Sequence, residues 1–442
     1  MFIKTAWRLF YLGCILFSVA KKVKKNCISR NSIVLCFCEE QKYKGIKLMQ
    51  TNYTRFRPNI KGINMKKSYI LDNTYHIEAV RIDKRAVCCG RKMNIKDYRT
   101  VHIKDTNYGS KKVIIHVKKQ RYICPCCNRK EMSKLDFVKK RCSISKNIQI
   151  ELVWHLKSMK SFKQSGVELG MSLSTVLRYF NQLKIAEKEK PTKIIHLDEF
   201  KGNADNEKYQ LAVYNGDREL LTILKDRKSS TIKSYLESLE EKPEKVVIDL
   251  FMQFRNVVKR TLPKAEIIAD KYHYVRQIEW MIRDIRIRLY NQNTKYKDLK
   301  KYWKLIARNP LCLTEKQQKR ISKLRKLNTV FSECYGYKEE FYELLEVSSL
   351  KEFEKGFEDL VERLEKSEIK ECMYLSKTYR NWKTEILKSI EYKIDNGFVE
   401  GYNNKIKVIK RVSYGIKKFN ILKKLIQLKF SSNVDYFFDP TY

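Results

Sequence analysis

KIIHLDEF, residues 193–200, is a short apolar run that closes on an acid, Asp198, and the segments after it decide what it belongs to. YQLAVYNG (209–216) and ELLTILKDR (219–227) follow at the spacing of hairpin-connected strands, so the three read as an antiparallel meander. TIKSYLESLEE (231–241) carries apolar residues at helical spacing, and KPEKVVIDLF (242–251) is a buried-type strand ending in a second acid, Asp249. FRNVVKRTLP (254–263) reads as a helix closed by Pro263, and AEIIADKYHYV (265–275) as a strand running into a helix. A meander followed by alternating helix and parallel strand is the pattern of an RNase H-like α/β core. Residues 275–395 interleave Lys and Glu with few breakers and read as a helical insertion, after which NGFVEGYNNKIKVIKRVSYG (396–415) begins a final helix.

Upstream of this core, Lys188 to Thr192 is a charged linker containing Pro191, and residues 149–184 read as three short helices. In SFKQSGVELGMSLSTVLRYFNQL (161–183), an apolar-periodic turn ends at Leu169 and Gly170 is a hinge. Ser172 or Ser174 caps the next helix, which turns Val176, Leu177 and Phe180 inward. That is a helix-turn-helix layout, with Ser174, Thr175, Arg178 and Tyr179 as outward candidates for DNA contact. A Gly between two short helices also occurs in ordinary bundles, so the neighbouring segments matter.

Between Tyr69 and Tyr122 the segments YHIEAVRI, YRTVHI and KKVIIHVKKQRYI alternate apolar and basic residues, as strands do. Lys118 and Lys119 are candidates for phosphate contact there. Cys124 and Cys127 stand in a C-P-C-C knuckle able to present two thiolates to one tetrahedral zinc. Cys88 and Cys89 are adjacent, Ala86 holds the place of an upstream partner, and adjacent side chains diverge. Two readings follow: a Zn2+ knuckle on Cys124 and Cys127 with Cys89, or a degenerate knuckle with free thiols. His102 and His116 are expected on strand faces, away from the metal.

The 442 residues carry 93 Lys and Arg against 50 Asp and Glu, a net charge of +43. With 43% hydrophobic residues and only 14 Gly and 7 Pro, the chain is neither disordered nor collagen-like, and its charge calls for a polyanionic partner. The first 150 residues hold 35 Lys and Arg against 9 acids, which makes the front third the electrostatic footprint. DNA or RNA fits better than a membrane: the apolar segment Ala6 to Ala20 is too short to span one and reads as an upstream extension or misplaced start. Thirteen Cys diluted in so long a chain suit a reducing cytoplasm.

The order of elements divides the chain into six parts. They are an extension (1–64), a β-rich zinc-knuckle-like module (65–145), a helix-turn-helix (146–190), the first part of the catalytic core (191–274), a helical insertion (275–395), and the core's C-terminal helix and tail (396–442).

Phosphodiester chemistry by two metals needs carboxylates that converge on one point, and hard oxygen ligands on a rigid sheet suit Mg2+ or Mn2+. Asp198 and Asp249 close two strands that such a core makes neighbours, and Glu400 lies near the start of the final helix. Each acid alone is as well read as a turn former or cap; their order makes the triad. Glu199 points to the opposite face. Asn403 and Asn404, one turn from Glu400, are auxiliary candidates, and Lys405, Lys407, Lys410 and Arg411 spread around the same helix as phosphate contacts.

IIHLDEF, VVIDLF, IIADKYHYVRQ and above all NGFVEGYNNKIKVIKRVSYG resemble the DDE-type transposases of bacterial insertion sequences in the ISL3 family, over about residues 65 to 435. The resemblance implies a catalytic core interrupted by a helical insertion, with Asp198, Asp249 and Glu400 as the metal-binding triad. It also implies that Asp270 and His273 form an auxiliary D-x-x-H element. The partners would be double-stranded DNA, namely terminal inverted repeats and target. The chain would act as a homodimer on paired ends, without a membrane, in the bacterial cytoplasm at the nucleoid. Apolar stripes in WMIRDIRIRLY and FEDLVERLEK are candidates for the dimer contact, with self-packing of the insertion as the alternative. A DNA-binding regulator that no longer cleaves, and a nuclease without strand transfer, are the competing functions.

Overall fold

A computed structural model describes residues 60, 62–81, 86–139, 142–185, 193–394 and 397–431, and the backbone of 436–438. Most of the N-terminal extension, the linker at Lys188 to Thr192, and Asn396 lie outside the described residues.

The basic front module is a sheet whose strands are β1 (Ile63–Leu71), β2 (Thr74–Arg81), β5 (Asn94–Tyr108), β6 (Lys111–Ile123) and β7 (Lys130–Met132), with a small hairpin of β3 (Val87–Cys88) and β4 (Arg91–Lys92) at one end. The order is β1-β2-β6-β5, with β7 also on β6, and only β2 and β6 run parallel. Strand alternation turns Ile77, Ile103, Val113, Ile115 and Val117 onto a core with Leu135 and Phe137. The other face carries His76, His116 and His102 across three strands, with ring nitrogens 2.9 and 2.6 Å apart. The two histidines expected on a strand face are there.

Helices α1 (Lys146–Lys157), α2 (Phe162–Glu168) and α3 (Leu173–Gln182) follow, each opened by a serine, Ser145, Ser161 or Ser172, whose hydroxyl accepts from a backbone N–H three residues on. Gly170 adopts φ +64° in the α2–α3 turn, a backbone that favours glycine, whereas a Cβ on Gly166 would stand 2.8 Å from the Met171 carbonyl, so Gly166 is required by close approach. Lys104 Nζ and Asn107 Nδ2 donate to the carbonyls of Gly170 and Glu168, tying this turn to the sheet. β8 (Leu183–Ile185) closes the segment.

The central sheet consists of β9 (Ile194–Phe200), β10 (Gln210–Asn215), β11 (Leu220–Leu224), β12 (Lys245–Ile248) and β13 (Glu266–Ala269), in the order β11-β10-β9-β12-β13. β9 to β11 form the expected meander, and β9, β12 and β13 run parallel. Between them lie α4 (Ser229–Ser238) and α5 (Met252–Thr261). α6 (Lys271–Gln292) leaves β13 directly, without a break at 275, and opens the insertion of α7 (Lys297–Lys301), α8 (Trp303–Ile306), α9 (Glu315–Arg325), α10 (Thr329–Leu344), α11 (Leu350–Lys366) and α12 (Lys370–Tyr392). The expected final helix is two, α13 (Gly397–Val412) and α14 (Phe419–Phe430), because Tyr414 and Gly415 take φ +54° and +82° and stop the helical path. A last strand, β14 (Tyr436–Phe438), pairs with β8.

Side chains from the two faces of this sheet enter two cores. Ile195, Leu197, Leu211 and Val213 join one core with α4, α5 and the insertion. Ala212 and Tyr214 join another with α13, α14 and α1 to α3. The insertion stripes are spent inside the first core: Met281, Ile282, Ile285, Leu289, Phe357, Leu360, Val361 and Leu364 are all buried there. No helix among the described residues is long and apolar enough to cross a membrane.

Candidate active site

The parallel registers put three acids in a row. Leu197 pairs with Ile248, and Ile248 with Ala269, so the next residue on each strand is Asp198, Asp249 and Asp270. Asp198 does not close its strand as expected: β9 continues to Phe200 because its antiparallel pairing with β10 reaches Gln210. Asp198 is instead the first residue beyond the parallel pairing, where the sheet opens between β9 and β12. Asp270 N donates to the Ile248 carbonyl at 2.9 Å, and the Asp270 side chain caps α6 by accepting from Tyr272 N at 3.1 Å. That cap places His273 so that its Nε2 lies 3.1 Å from Asp249 Oδ1. Asp249, Asp270 and His273 each bring one ligand atom within 4.8 Å of the others.

Burial sets the electrostatics. Asp198 is pushed up to about 7, chiefly by desolvation and then by the charge of Asp270, with the Asn403 hydrogen bond opposing. Asp249 is held well above the usual carboxylate range by desolvation and then by Asp198 and Asp270. Desolvation lowers His273, so its ring stays neutral. Asp249 Oδ1 and Asn403 Oδ1 are buried without a hydrogen-bond partner, the contact to His273 being close but not directed. Buried carboxylates that repel one another and leave an oxygen unmatched fit a divalent cation.

α13 covers this row. Its Phe398 and Tyr402 rings pack on His196 and Tyr214 of the sheet, and Asn403 Nδ2 donates to Asp198 Oδ2 at 2.5 Å. Glu400 stands one turn before Asn403, exposed, on the open side of the same helix, outside the group formed by Asp249, Asp270 and His273. The two asparagines thus separate: Asn404 faces solvent and accepts from Lys407 Nζ at 3.2 Å. Glu199 turns away from the row to Arg227, as its alternation predicts.

At the far end of the front module, Cys88, Cys89, Cys124 and Cys127 bring their sulfurs within 4.8 Å of one another. Cys88 Sγ is 3.8 Å from Cys89 Sγ and 3.6 Å from Cys127 Sγ, against about 3.8 Å between ligands of a tetrahedral zinc with 2.3 Å bonds. The expected divergence of the adjacent pair is overcome by backbone: Cys89 takes φ +50° and Gly90 φ +71°. Gly90 was the signal that sequence reasoning passed over. Backbone N–H groups of Cys127 and Cys126 push Cys124 down to about 6, whereas the contact with Cys127 pushes Cys89 up to about 12. Four thiols so placed ionise together only around a cation.

The DNA-contact candidates do not all reach the surface. Arg178 is exposed and Thr175 half-buried, but Tyr179 is buried, because it falls three residues after Val176 on the inward stripe with Phe180. Lys118 lies over the Tyr98 ring at 4.9 Å, and Lys119 points to the opposite sheet face. Lys407 and Arg411 are exposed. Lys410 is half-buried and one of its ammonium hydrogens is donated to the Lys201 carbonyl.

The profile of a transposase family, the DDE type of ISL3, matches residues 195–426, and one described as the zinc-finger of transposase IS204/IS1001/IS1096/IS1165 matches residues 87–127. The transposase for insertion sequence element IS1001 of Bordetella parapertussis is 22% identical over 373 residues, spanning 78% of this chain and 88% of that protein. Among solved structures, a Drosophila P element transposase strand transfer complex aligns with a TM-score of 0.37 at 9% identity, covering 66% of this chain and 92% of the other, too distant for residue correspondence. The first of these matches takes in more than half of the chain, from the sheet that carries Asp198 to the helix that follows Glu400, and the second the cysteine cluster; the chain belongs to the ISL3 family of DDE transposases.

Proposed function

We propose that this transposase binds the terminal inverted repeats of its element and cuts and joins DNA at Asp198, Asp249 and Glu400, in an RNase H-like core. The carrying observation is the row of acids at the parallel edge, with a buried, unmatched Asp249 oxygen beneath a helix that carries Glu400 and bonds Asp198 through Asn403. Asp198 and Asp249 would hold magnesium or manganese ions, with Glu400 delivered from α13 on DNA binding. Such ions lower the pKa of an attacking water and stabilise charge on the leaving oxygen. The rigid strands fix two of the carboxylates, Asn403 orients Asp198, and neutral His273 positions Asp249 without competing for its charge. In the first step a P–O bond forms to water and the bond to the 3′ oxygen breaks. The released 3′ hydroxyl then attacks a target phosphodiester, displacing the target's own 3′ oxygen.

Cys88, Cys89, Cys124 and Cys127 would hold a structural zinc that ties the β3–β4 hairpin to the end of β6. α2 and α3 form the helix-turn-helix, in which Arg178 and Thr175 read base edges while Lys118 and its neighbours hold phosphate. Two copies would serve two ends, with a contact elsewhere than the buried insertion stripes.

The test is incubation of the chain with element-end duplexes and magnesium. Asp198→Asn, Asp249→Asn and Glu400→Gln should each reduce cleavage about 10²- to 10³-fold or more while end binding persists. Near-normal cleavage by any one removes that acid from the triad, and binding without cleavage by the unaltered chain makes it a regulator.

A further inference from the structure

Beyond the acids, α13 presents an exposed polar and basic stripe. At 100° per residue, Glu400, Asn404, Lys407 and Arg411 fall within one narrow arc of the helix, and all four are exposed. Val399, Ile406 and Ile409 turn to the core on the other side. This stripe ends on Tyr414, which is 87% exposed, more than any other large apolar or aromatic residue described. Its backbone is held at φ +54°, a conformation that a bulky residue adopts only where the chain around it demands it. The turn that presents it is anchored: Asp205 N donates to the Lys417 carbonyl at 2.8 Å, and Phe419 N to the Asp205 carboxylate at 3.2 Å. Lys417 and Lys418 are exposed beside it. An aromatic ring held out on a fixed turn, with cations on both sides and no acid between Glu400 and it, has the chemistry of a base-stacking tip on a phosphate track.

We propose that α13 lies along one DNA strand, with Lys407 and Arg411 on its phosphates and the Tyr414 ring stacked on a base at a step that opens about six nucleotides from the cut. The register follows from helix rise: the helical residues from Glu400 to Val412 span about 18 Å at 1.5 Å each, the turn to Tyr414 adds a few ångströms, and B-DNA advances about 3.4 Å per base pair. The proposal rests on the reading of Glu400 as the acid at the cut. A wedge of this kind opens the duplex locally and kinks it, which fixes how far along the end the scissile phosphate sits.

The experiment uses the full chain, without magnesium, and element-end duplexes carrying a single 2-aminopurine at successive positions from the cut. Fluorescence should change most at about the fifth to seventh position, and Tyr414→Asn, which suits a positive φ and keeps the fold, should abolish that change and weaken end binding about 5- to 150-fold. Tyr414→Phe should retain both. Lys407→Gln and Arg411→Gln should each weaken binding to any duplex and lower the salt dependence by about one ion, without moving the position. An unchanged signal in Tyr414→Asn, or a maximum more than ten positions away, overturns the proposal. So does a Tyr414→Asn protein that binds DNA normally and loses only its self-association, since the ring would then serve a protein contact. Failure of the triad is distinguishable: normal cleavage by Glu400→Gln removes the origin of the register while leaving any Tyr414-dependent signal in place.

Discussion

Asp198 is an ordinary carboxylate until the fold surrounds it. With its pKa near 7, the metal-free fold keeps a proton that the unfolded chain releases near pH 4, so metal-free stability declines as pH rises through that window. The proton competes with any cation there. Magnesium affinity, read as the rise in Tm on adding the metal, should therefore grow from about pH 5.5 to about pH 7.5 and then level off. Asp198→Asn should flatten the profile; an unaltered slope would place the titration on another group. The cysteine cluster makes a second prediction at this scale. Because the sulfurs of both Cys88 and Cys89 lie against the others, Cys88→Ser and Cys89→Ser should each lose bound zinc as measured by metal analysis, as Cys127→Ser does. Retention of a full equivalent in Cys88→Ser would restore the three-cysteine reading.

At the scale of the element, the α2–α3 turn shows conformation and packing acting together. Gly170→Ala should cost about 1–2 kcal/mol through its left-handed backbone alone, read by denaturant unfolding. Gly166→Val should cost more, because the new side chain meets the Met171 carbonyl and Val176. Within α3 the neighbours Arg178 and Tyr179 should separate cleanly. Arg178→Ala should relax base preference by about 1–3 kcal/mol with little change in stability. Tyr179→Ala should lower stability by about 3–5 kcal/mol by emptying a buried site. A stable Tyr179→Ala protein with relaxed specificity would return that tyrosine to the DNA face.

For the whole molecule, the second core decides how far the helices α1 to α3 and the central sheet are independent. Leu152, Phe180, Tyr214, Leu422 and Ile426 are buried in one cluster, and Lys424 Nζ from α14 donates to the Asn181 carbonyl at 2.7 Å. Lys429, also on α14, donates to the Leu156 carbonyl at the end of α1. A fragment starting at Lys193 would expose half of this core, so it should melt well below the full chain or aggregate, besides failing to recognise the ends. Equal Tm values for fragment and full chain would show that the two parts fold separately. The buried insertion stripes bear on assembly in the same way: Phe357→Ala or Leu360→Ala should lower stability by about 2–5 kcal/mol, read by denaturant unfolding, rather than only shift the chain from dimer to folded monomer.

Strand and helix order, the meander, the positions of Asp198 and Asp249 and the serine cap before the third short helix were legible in the sequence, because apolar period, caps and turn residues act over a few neighbours. The place of Glu400 near the start of a helix was legible for the same reason. Only the tertiary structure decided which of these residues meet. Parallel register lined up Asp270 with Asp198 and Asp249, and two positive φ angles turned Cys88 and Cys89 onto one point. Packing took Tyr179 out of solvent, and the insertion stripes with it, and left Lys410 half-buried against the Lys201 carbonyl. A single chain pattern states that a face is apolar or basic; what covers that face depends on segments hundreds of residues away, and their approach is set by the summed burial of two cores rather than by any local preference.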